Sequence, residues 1–283
     1  MNDMKTAIGI SMGLLTLAGL ISWYVYAKDP PQTQSEEYQV VEQWALPKVL
    51  EEISGLSYIG NNQLACVQDE QGTIFIYDLT KSGIVKEIPF GDDGDYEGIA
   101  VVENDAYVLR SDGVLLWVKN FLKDPQVELL ETVLHDIPKV DVEGLSLNSQ
   151  GNGLLVAAKH NNKESKEYKI IIELLFREDA LVDNNRLQLD MNDPAFADID
   201  EDLEDKFSPS SIQVHPDSKD WYLLDGRNSL LLITDSQLKS KQIIELDTRL
   251  FPQPEGLAFS ENGALFVSTE GDGKPGRIIK LKL

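Results

Sequence analysis

The chain has 283 residues and a formal net charge of −23, with 48 acidic against 25 basic side chains. This excess of negative charge excludes binding to nucleic acid or to an anionic lipid surface through a basic patch, because both need an excess of Lys and Arg. Hydrophobic residues make up 42% of the chain, which is enough for a packed core. The single cysteine, Cys66, excludes an intrachain disulfide, and its apolar neighbours predict a buried strand residue.

The N-terminal segment has the features of a membrane-spanning helix. Residues 7–27 form a run of 21 residues without a charge, and about 20 apolar residues suffice to cross a bilayer. Three aromatic residues cluster at the C-terminal end of this run, where they favour the membrane interface. The pattern predicts a short cytoplasmic N-terminus (1–6), a signal-anchor helix (7–27) and an extracytoplasmic remainder on the inner membrane. A cleaved signal peptide is the alternative, although no A-x-A pattern precedes Ala27.

Residues 28–37 are polar and contain two adjacent prolines, which is typical of an extended linker. The linker separates the anchor from a repetitive region that we assign to residues 38–283.

One sequence phrase recurs five times after the linker. Each copy begins with an apolar strand whose first residues are Glu or Ser and then Gly or Ser. A tight turn follows, and then a second apolar strand that ends in charged residues. The five copies occupy 53–70, 96–112, 142–160, 209–226 and 254–271. Their anchor positions, Gly55, Gly98, Gly144, Ser211 and Gly256, are 43, 46, 67 and 45 residues apart. Three of these spacings match the period of a four-stranded propeller blade, about 40–50 residues.

Further strands complete the blades. A third apolar run follows each hairpin and a fourth follows in most units, but the fifth unit stops after its third strand. The strand-like stretch Tyr38–Leu46 precedes the first unit, and we expect it to complete the last blade and close the ring. The sequence thus predicts an all-β fold, a five-bladed β-propeller of four-stranded blades closed by an N-terminal strand and preceded by one transmembrane helix. A sixth, degenerate blade in the long third unit is the alternative, but 176–208 are too polar for four strands.

An acidic insertion lies in the third unit. Asp190–Asp205 carries eight acidic residues in 16. An EF-hand is disfavoured, because Leu203 stands where the loop needs glycine and Pro209 where it needs a glutamate. We expect a solvated acidic loop or short helix starting at Asp193-Pro194.

Propeller geometry predicts which residues converge on the central channel. The first strand of each blade starts at the face where the antiparallel second strand ends, so both sets of residues surround one mouth. The starts place Ser54, Glu97, Glu143, Ser210 or Ser211, and Glu255 there, and the ends place Asp69, Glu70, Arg110, Asp112, Lys159, His160, Asp225, Arg227 and Glu270.

Three glutamates, Glu97, Glu143 and Glu255, occupy equivalent positions and would face one axis. Carboxylates that lie so near one another repel, have raised pKa values, or hold a cation between them. Oxygen ligands suit calcium better than zinc, so we expect a divalent-cation site. The alternative is that each glutamate caps a backbone amide or pairs with a nearby cation such as Lys159 or Arg227.

Histidine contributes little to the predicted chemistry. The chain has three, of which His215 belongs to a predicted turn and His135 lies at the end of an outer strand. Only His160 falls at the predicted mouth, where it is a weak candidate for a general base.

The phrase Glu-Gly-Ile or Glu-Gly-Leu at 97–99, 143–145 and 255–257 resembles the repeats of the SdiA-regulated (YjiK-like) family. The resemblance covers about residues 38–283 and extends to the leading membrane segment. It implies a bacterial envelope protein, a five-bladed propeller distantly related to NHL-repeat propellers, and a calcium site that maps onto the three glutamates. Serine replaces glutamate in the first and fourth units, and the family implies no established reaction.

Three functions remain open on this evidence. The first is a periplasmic, membrane-anchored binding module with axial calcium that presents the channel mouth to an unknown small ligand or protein. The second is a calcium-dependent hydrolase or lactonase, which needs His160 or a carboxylate as base. The third is a scaffold without metal, in which the glutamates are salt-bridged.

Overall fold

Each of the five repeats folds as one antiparallel sheet of four strands. The computed structural model describes residues 37–130, 141–160, 166–178, 180–271 and 273–283. The chain divides into a large unit, Val41–Lys282, and a small one whose described part is Glu37–Val40 and Leu283. The large unit contains the sheets that correspond to the predicted blades.

The two inner strands of each blade form the predicted hairpin. The first strands are β2 (Ile53–Tyr58), β6 (Tyr96–Val102), β10 (Asp141–Leu147), β14 (Pro209–Val214) and β18 (Gln253–Phe259). The second strands are β3 (Gln63–Gln68), β7 (Asp105–Arg110), β11 (Gly153–His160), β15 (Trp221–Asp225) and β19 (Leu265–Glu270).

The two outer strands complete each sheet. The third strands are β4 (Thr73–Asp78), β8 (Leu115–Lys119), β12 (Tyr168–Arg177), β16 (Leu230–Thr234) and β20 (Arg277–Lys282). The fourth strands are β5 (Gly83–Pro89), β9 (Gln126–Leu130), β13 (Ala180–Asp190), β17 (Ser240–Glu245) and, for the fifth blade, β1 (Gln39–Ala45).

The five first strands form a closed ring. β2 contacts β6, β6 contacts β10, β10 contacts β14, β14 contacts β18, and β18 returns to β2. The described residues therefore form a five-bladed β-propeller, which confirms the predicted fold and leaves no place for a sixth blade in this ring.

Strand β1 pairs with β20, as expected for closure by an N-terminal strand. The indole N–H of Trp44, on this strand, donates a hydrogen bond of 2.9 Å to the carbonyl of Leu79 in the first blade. Leu46 follows the strand and donates to the carbonyl of Gly276 at 2.8 Å. These bonds tie the start of the ring to its end.

The core consists of apolar layers between neighbouring blades. Between the fifth and first blades, for example, Trp44, Phe75 and Phe266 pack in one buried cluster. Cys66 belongs to the same cluster and is buried, as predicted. Burial raises the pKa of its thiol, so this cysteine is inert rather than nucleophilic.

The third blade contains a strand that the sequence did not predict. Its outer strand β13 is long and mostly exposed, with Leu189 fully buried. The acidic insertion that follows it begins with a 3₁₀ turn, Pro194–Phe196, and Oδ1 of Asp193 accepts a hydrogen bond of 2.9 Å from the amide of Ala195. Asp193-Pro194 thus starts a short helical turn, as expected. Two further 3₁₀ turns are Lys48–Leu50 and Leu203–Asp205.

The predicted anchor (7–27) and linker (28–37) fall outside the described residues, apart from residue 37. Within the described ranges, no helix has the length and apolar character needed to cross a bilayer.

Candidate functional site at the acidic mouth

A register shift interrupts the first strand of every blade at the same position of the repeat. The shifts lie between Ile53 and Leu56, Tyr96 and Gly98, Val142 and Gly144, Pro209 and Ser211, and Pro254 and Gly256. A bulge leaves a residue out of the ladder and changes the direction of its side chain. The residues left out of the ladder in this way include Glu97, Glu143, Ser210 and Glu255. The three predicted glutamates therefore share the same backbone irregularity in their blades.

The three glutamates lie within Coulombic reach of one another. Burial, together with repulsion from Glu143, Asp95 and Glu255, raises the pKa of Glu97 to about 9. Burial and repulsion from Glu143 raise the pKa of Glu255 to about 8, with a smaller opposing effect of Lys159. The structure therefore brings together the three glutamates that the sequence singled out.

The ends of the second strands add two carboxyl groups to this cluster. Burial and repulsion from Asp69 and Glu52 raise the pKa of Glu270 to about 7. Burial and repulsion from Glu52 and Glu70 raise the pKa of Asp69 to about 6. Oδ1 of Asp69 is buried and makes no hydrogen bond within the described part of the chain. We call the five groups Asp69, Glu97, Glu143, Glu255 and Glu270 the acidic mouth.

One cation, Lys159, stands inside the acidic mouth. Its ammonium lies 2.5 Å from Oε1 of Glu143, and the two side chains are 28% and 5% exposed. Burial alone would lower the pKa of Lys159, but attraction to Glu143, Glu255 and Glu97 outweighs it and raises that pKa. The ion pair that the sequence left open as an alternative is thus present for Glu143.

Other residues predicted at the mouth make hydrogen bonds that stabilise local structure and are not part of the carboxyl cluster. Arg110 makes two hydrogen bonds to its neighbour Asp112, at 2.9 and 2.7 Å, on the exposed rim. Asp225 is fully buried and accepts hydrogen bonds from the amides of Ser208 (3.1 Å), Arg227 (2.9 Å) and Asn228 (3.0 Å).

The serines of the first and fourth blades are also structural. Ser211 takes the place of the repeat glycine, and its Oγ accepts from the amide of Leu257 in the next blade at 3.1 Å. Ser210 therefore stands at the position equivalent to the glutamates, and its hydroxyl donates to the carbonyl of Pro254 at 2.9 Å. Ser54 is buried, and its carbonyl accepts from the hydroxyl of Ser268 at 3.2 Å.

Glycines make room for close contact at the axis. A Cβ on Gly98 would lie 2.7 Å from Cβ of Leu145, and one on Gly256 would lie 2.5 Å from the carbonyl oxygen of Ser54. A Cβ on Gly226 would lie 2.7 Å from Oε1 of Glu255. The first two show that neighbouring blades pack too closely for a side chain at the repeat glycine, and the third shows that Gly226 leaves space for a glutamate of the mouth.

Sequence reasoning missed residues that shape the mouth indirectly. Asp95 and Glu52 precede the first strands of their blades and add negative charge to Glu97 and Glu270. Lys169 is 3% exposed, and its ammonium donates 2.8 Å to the carbonyl of Lys159. Burial lowers the pKa of Lys169. The position of this lysine within the apolar stretch 168–177 could have predicted from the sequence that it is buried.

The histidines supply no general base among the described side chains. His215 lies in the turn between β14 and β15, where its Nδ1 accepts from the amides of Asp217 and Ser218, both at 3.2 Å. His135 and the side chain of His160 lie outside what the structure describes.

The donor chemistry of the mouth fits calcium, because carboxylate oxygens are the ligands that this ion prefers. The geometry is less favourable. Across the described ranges, no group of three or more His, Cys, Asp or Glu side chains is arranged to hold a metal ion, and Lys159 engages one oxygen of Glu143. The axial calcium site stays a prediction.

Comparison with solved structures shows the same fold in proteins of distant sequence. Myxococcus xanthus glutaminyl cyclase is 15% identical, with a TM-score of 0.61 over 87% of this chain and 95% of that one. The PQQ-bound aldose sugar dehydrogenase of Streptomyces coelicolor is 13% identical, with a TM-score of 0.53 over 90% and 99% of the two chains. Likenesses at this level of identity show the fold alone.

At the level of sequence, a search of curated proteins found no significant match. A profile of the SdiA-regulated family, however, matches residues 32–273, which is most of the chain. The chain therefore belongs to the SdiA-regulated family.

Proposed function

We propose that this protein is a binding module of the bacterial envelope whose acidic mouth binds a cation, with calcium as the first candidate. The observation that carries the proposal is the convergence of five carboxyl groups from four blades, of which Glu97, Glu143, Glu255 and Glu270 lie within Coulombic reach of Lys159 and Asp69 within reach of Glu270. Four of these carboxyls have a raised pKa. Such groups are destabilised as anions in the free protein, so a bound cation or proton would relieve their repulsion.

The residues of the mouth divide by their availability to a cation. Glu97 and Glu255 would hold the ion, because each projects from a bulge and neither is engaged by Lys159 at ion-pair distance in the contacts described. Glu270 and Asp69 would add oxygens from the ends of the second strands. Calcium accepts six to eight oxygen ligands in irregular arrangements, which suits a site built from several blades and water.

Lys159 sets the strength of this site. Its ammonium is a tethered counter-ion that already neutralises part of the mouth, so an incoming dication would meet a smaller attraction than five carboxylates alone would exert. Weak, readily reversible binding follows, in the range typical of extracellular calcium modules.

The apolar run 7–27 would hold the module on the inner membrane with the propeller on the extracytoplasmic side. This location supports a calcium role, because millimolar dissociation constants are useful only where the ion is abundant. No observation on the described residues favours the hydrolase alternative over binding, and we do not propose it.

The test is thermal unfolding of the full-length protein in mild detergent, with millimolar calcium and then with excess chelator. Calcium at about ten times its dissociation constant would stabilise the fold by about 1.4 kcal/mol. We expect calcium to raise the melting temperature of the wild type but not of a Glu97→Gln/Glu255→Gln variant. A matched variant, Glu42→Gln/Glu87→Gln, removes two exposed charges from outer strands and should respond like the wild type. No calcium-dependent rise in the wild type would refute the proposal.

A further inference from the structure

The ion pair of the acidic mouth is formed by two residues that the strand ladder leaves out. The register of β10 with β11 passes from Ala158 directly to His160, so Lys159 has no partner on β10. Glu143 is left out of the same ladder by the register shift described above. A residue outside the ladder is not fixed by strand pairing, so the position of Lys159 depends on other contacts.

The ladder on the other side of β11 does not reach Lys159 either. The described register of β11 with β12 ends where Ala157 lies opposite Ile171, two residues before Lys159. In the second and fifth blades, the second strand keeps consecutive residues in register with the first strand up to its last residue, Arg110 or Glu270. The third blade therefore departs from this pattern at the position that carries the counter-ion of the mouth.

The side chain of Lys169 contacts the backbone at this point. Lys169 is the second residue of β12 and is 3% exposed. Its ammonium donates a hydrogen bond of 2.8 Å to the carbonyl oxygen of Lys159. Backbone carbonyls that leave a ladder need another donor when water has little access to them. A side chain of β12 thus provides the bond that the β12 backbone does not provide here.

The charge of the buried Lys169 is compensated by nearby carboxylates. Burial lowers the pKa of this ammonium, and attraction to Asp205, Asp225 and Glu204 opposes that effect. Asp205 and Glu204 belong to the acidic insertion of the third unit, and Asp205 is itself held in an ion pair with Arg227. The insertion therefore stabilises a buried lysine whose hydrogen bond reaches the mouth.

We propose that Lys169 is a positioning residue of the acidic mouth. By holding the carbonyl of Lys159, it keeps the ammonium of Lys159 on Glu143 and so lowers the affinity of the mouth for a dication. Without this contact the counter-ion is released, and an incoming cation meets a larger negative charge. The effect on affinity rests on the cation binding proposed above, whereas the positioning itself can be tested without a cation.

The first experiment is a double-mutant cycle of Lys159→Met and Lys169→Met, measured by urea unfolding of the full-length protein with a chelator present. Lys159→Met keeps the carbonyl that Lys169 contacts, so independent roles predict that the two losses add. We expect instead that Lys159→Met lowers the urea midpoint about half as much in the Lys169→Met background as in the wild type, because the pair with Glu143 is already weakened. Additive losses would overturn the proposal.

Lys169→Met keeps the aliphatic stem and removes a buried charge, so the variant should fold. Lys169→Gln, which is uncharged but polar, takes its place in the cycle if the methionine variant does not fold.

The second experiment is calorimetric titration of the same proteins with calcium. We expect Lys169→Met to bind calcium about fivefold more tightly than the wild type, and to have no further effect where Lys159 is already replaced by methionine. Lys241→Met removes a positive charge from an exposed pair on an outer strand and should bind like the wild type.

Two results of the titration would overturn the proposal. One is an unchanged affinity in Lys169→Met, and the other is an equal gain with and without Lys159, because the lysine would then act through its own charge. A wild type that binds no calcium would refute the proposed function alone, and the urea cycle would still decide whether Lys169 positions Lys159.

Discussion

The ammonium of Lys159 lies 2.5 Å from Oε1 of Glu143, and this pair joins the second strand of the third blade to its first. Glu143 is 4% exposed, so its charge is shielded from water and depends on this partner. The same ammonium attracts Glu97 and Glu255 from other blades. Lys159 thus acts as the internal counter-ion of a site that would otherwise consist of repelling carboxylates.

Removing this counter-ion should destabilise the propeller. Lys159→Met keeps the aliphatic stem but leaves Glu143 as a buried charge, and the loss from breaking a buried pair is about 3 kcal/mol. Urea unfolding in the presence of a chelator would measure it. We expect calcium to restore more stability to this variant than it adds to the wild type, because the mouth then carries its full negative charge.

Two comparisons make this result specific. Lys241→Met breaks an exposed pair with Asp220 at 2.6 Å and should cost less than about 1 kcal/mol. The double variant Lys159→Met/Glu143→Gln should recover much of the loss, because no buried charge remains unpaired. A double variant as unstable as Lys159→Met would mean that the lysine acts through packing.

Gly226 should be intolerant of a side chain. A Cβ there would lie 2.7 Å from Oε1 of Glu255 and 2.9 Å from the carbonyl oxygen of Pro254. We expect Gly226→Ala to cost about 1–3 kcal/mol, the usual cost of overpacking, and to weaken cation binding at the mouth. Gly83→Ala is the matched control, because the nearest atom to its Cβ would be 3.9 Å away. It should change stability by less than about 0.5 kcal/mol. Equal losses at the two positions would contradict the contact with Glu255.

Stability of the cation-free protein should fall as the pH rises across the neutral range. The pKa values of Asp69, Glu270, Glu255 and Glu97 are raised to about 6, 7, 8 and 9. The folded protein therefore binds more protons than the unfolded chain between about pH 5, above the ordinary carboxyl pKa, and about pH 9. Stability is full below this window and is lost through it, because each deprotonation restores a repelling charge.

The contribution of one residue can be isolated by substitution. Glu97→Gln keeps the shape of the side chain but cannot ionise, so the difference in unfolding free energy between this variant and the wild type should increase toward pH 9. Chemical unfolding at a series of pH values, with a chelator present, measures this difference. Val41→Ala, which changes an exposed side chain without a titratable group, should show a constant difference. A Glu97→Gln variant that loses stability in parallel with the wild type would refute the assignment.

The blades and their order were predictable from the sequence because the repeat phrase encodes both position and packing. Gly98, Gly144 and Gly256 recur where neighbouring blades approach too closely for a Cβ. The strand β13 was missed because an outer strand needs little apolar surface. Most of its side chains are exposed, and its polar residues resemble a loop.

The acidic mouth was predictable in part, because equivalent positions of a repeat must face one axis. Its local geometry was not. The register shifts that direct Glu97, Glu143 and Glu255 lie at the repeat glycines. A glycine within a strand indicates either a bulge or a close approach of backbones, and the residue types alone do not decide between the two.

Closure of the ring gives a test of the architecture itself. Trp44 is 7% exposed, packs 6.2 Å from the ring of Phe266 and donates to the carbonyl of Leu79. Trp44→Ala should therefore cost about 3–5 kcal/mol, as expected for a buried aromatic side chain, and should broaden the unfolding transition as the fifth blade separates from the first. Val41→Ala on the same strand, where the side chain is 55% exposed, should be within about 0.5 kcal/mol of the wild type. Thermal unfolding followed by circular dichroism checks both variants, and a Trp44→Ala protein as stable as Val41→Ala would show that the ring holds together without this strand.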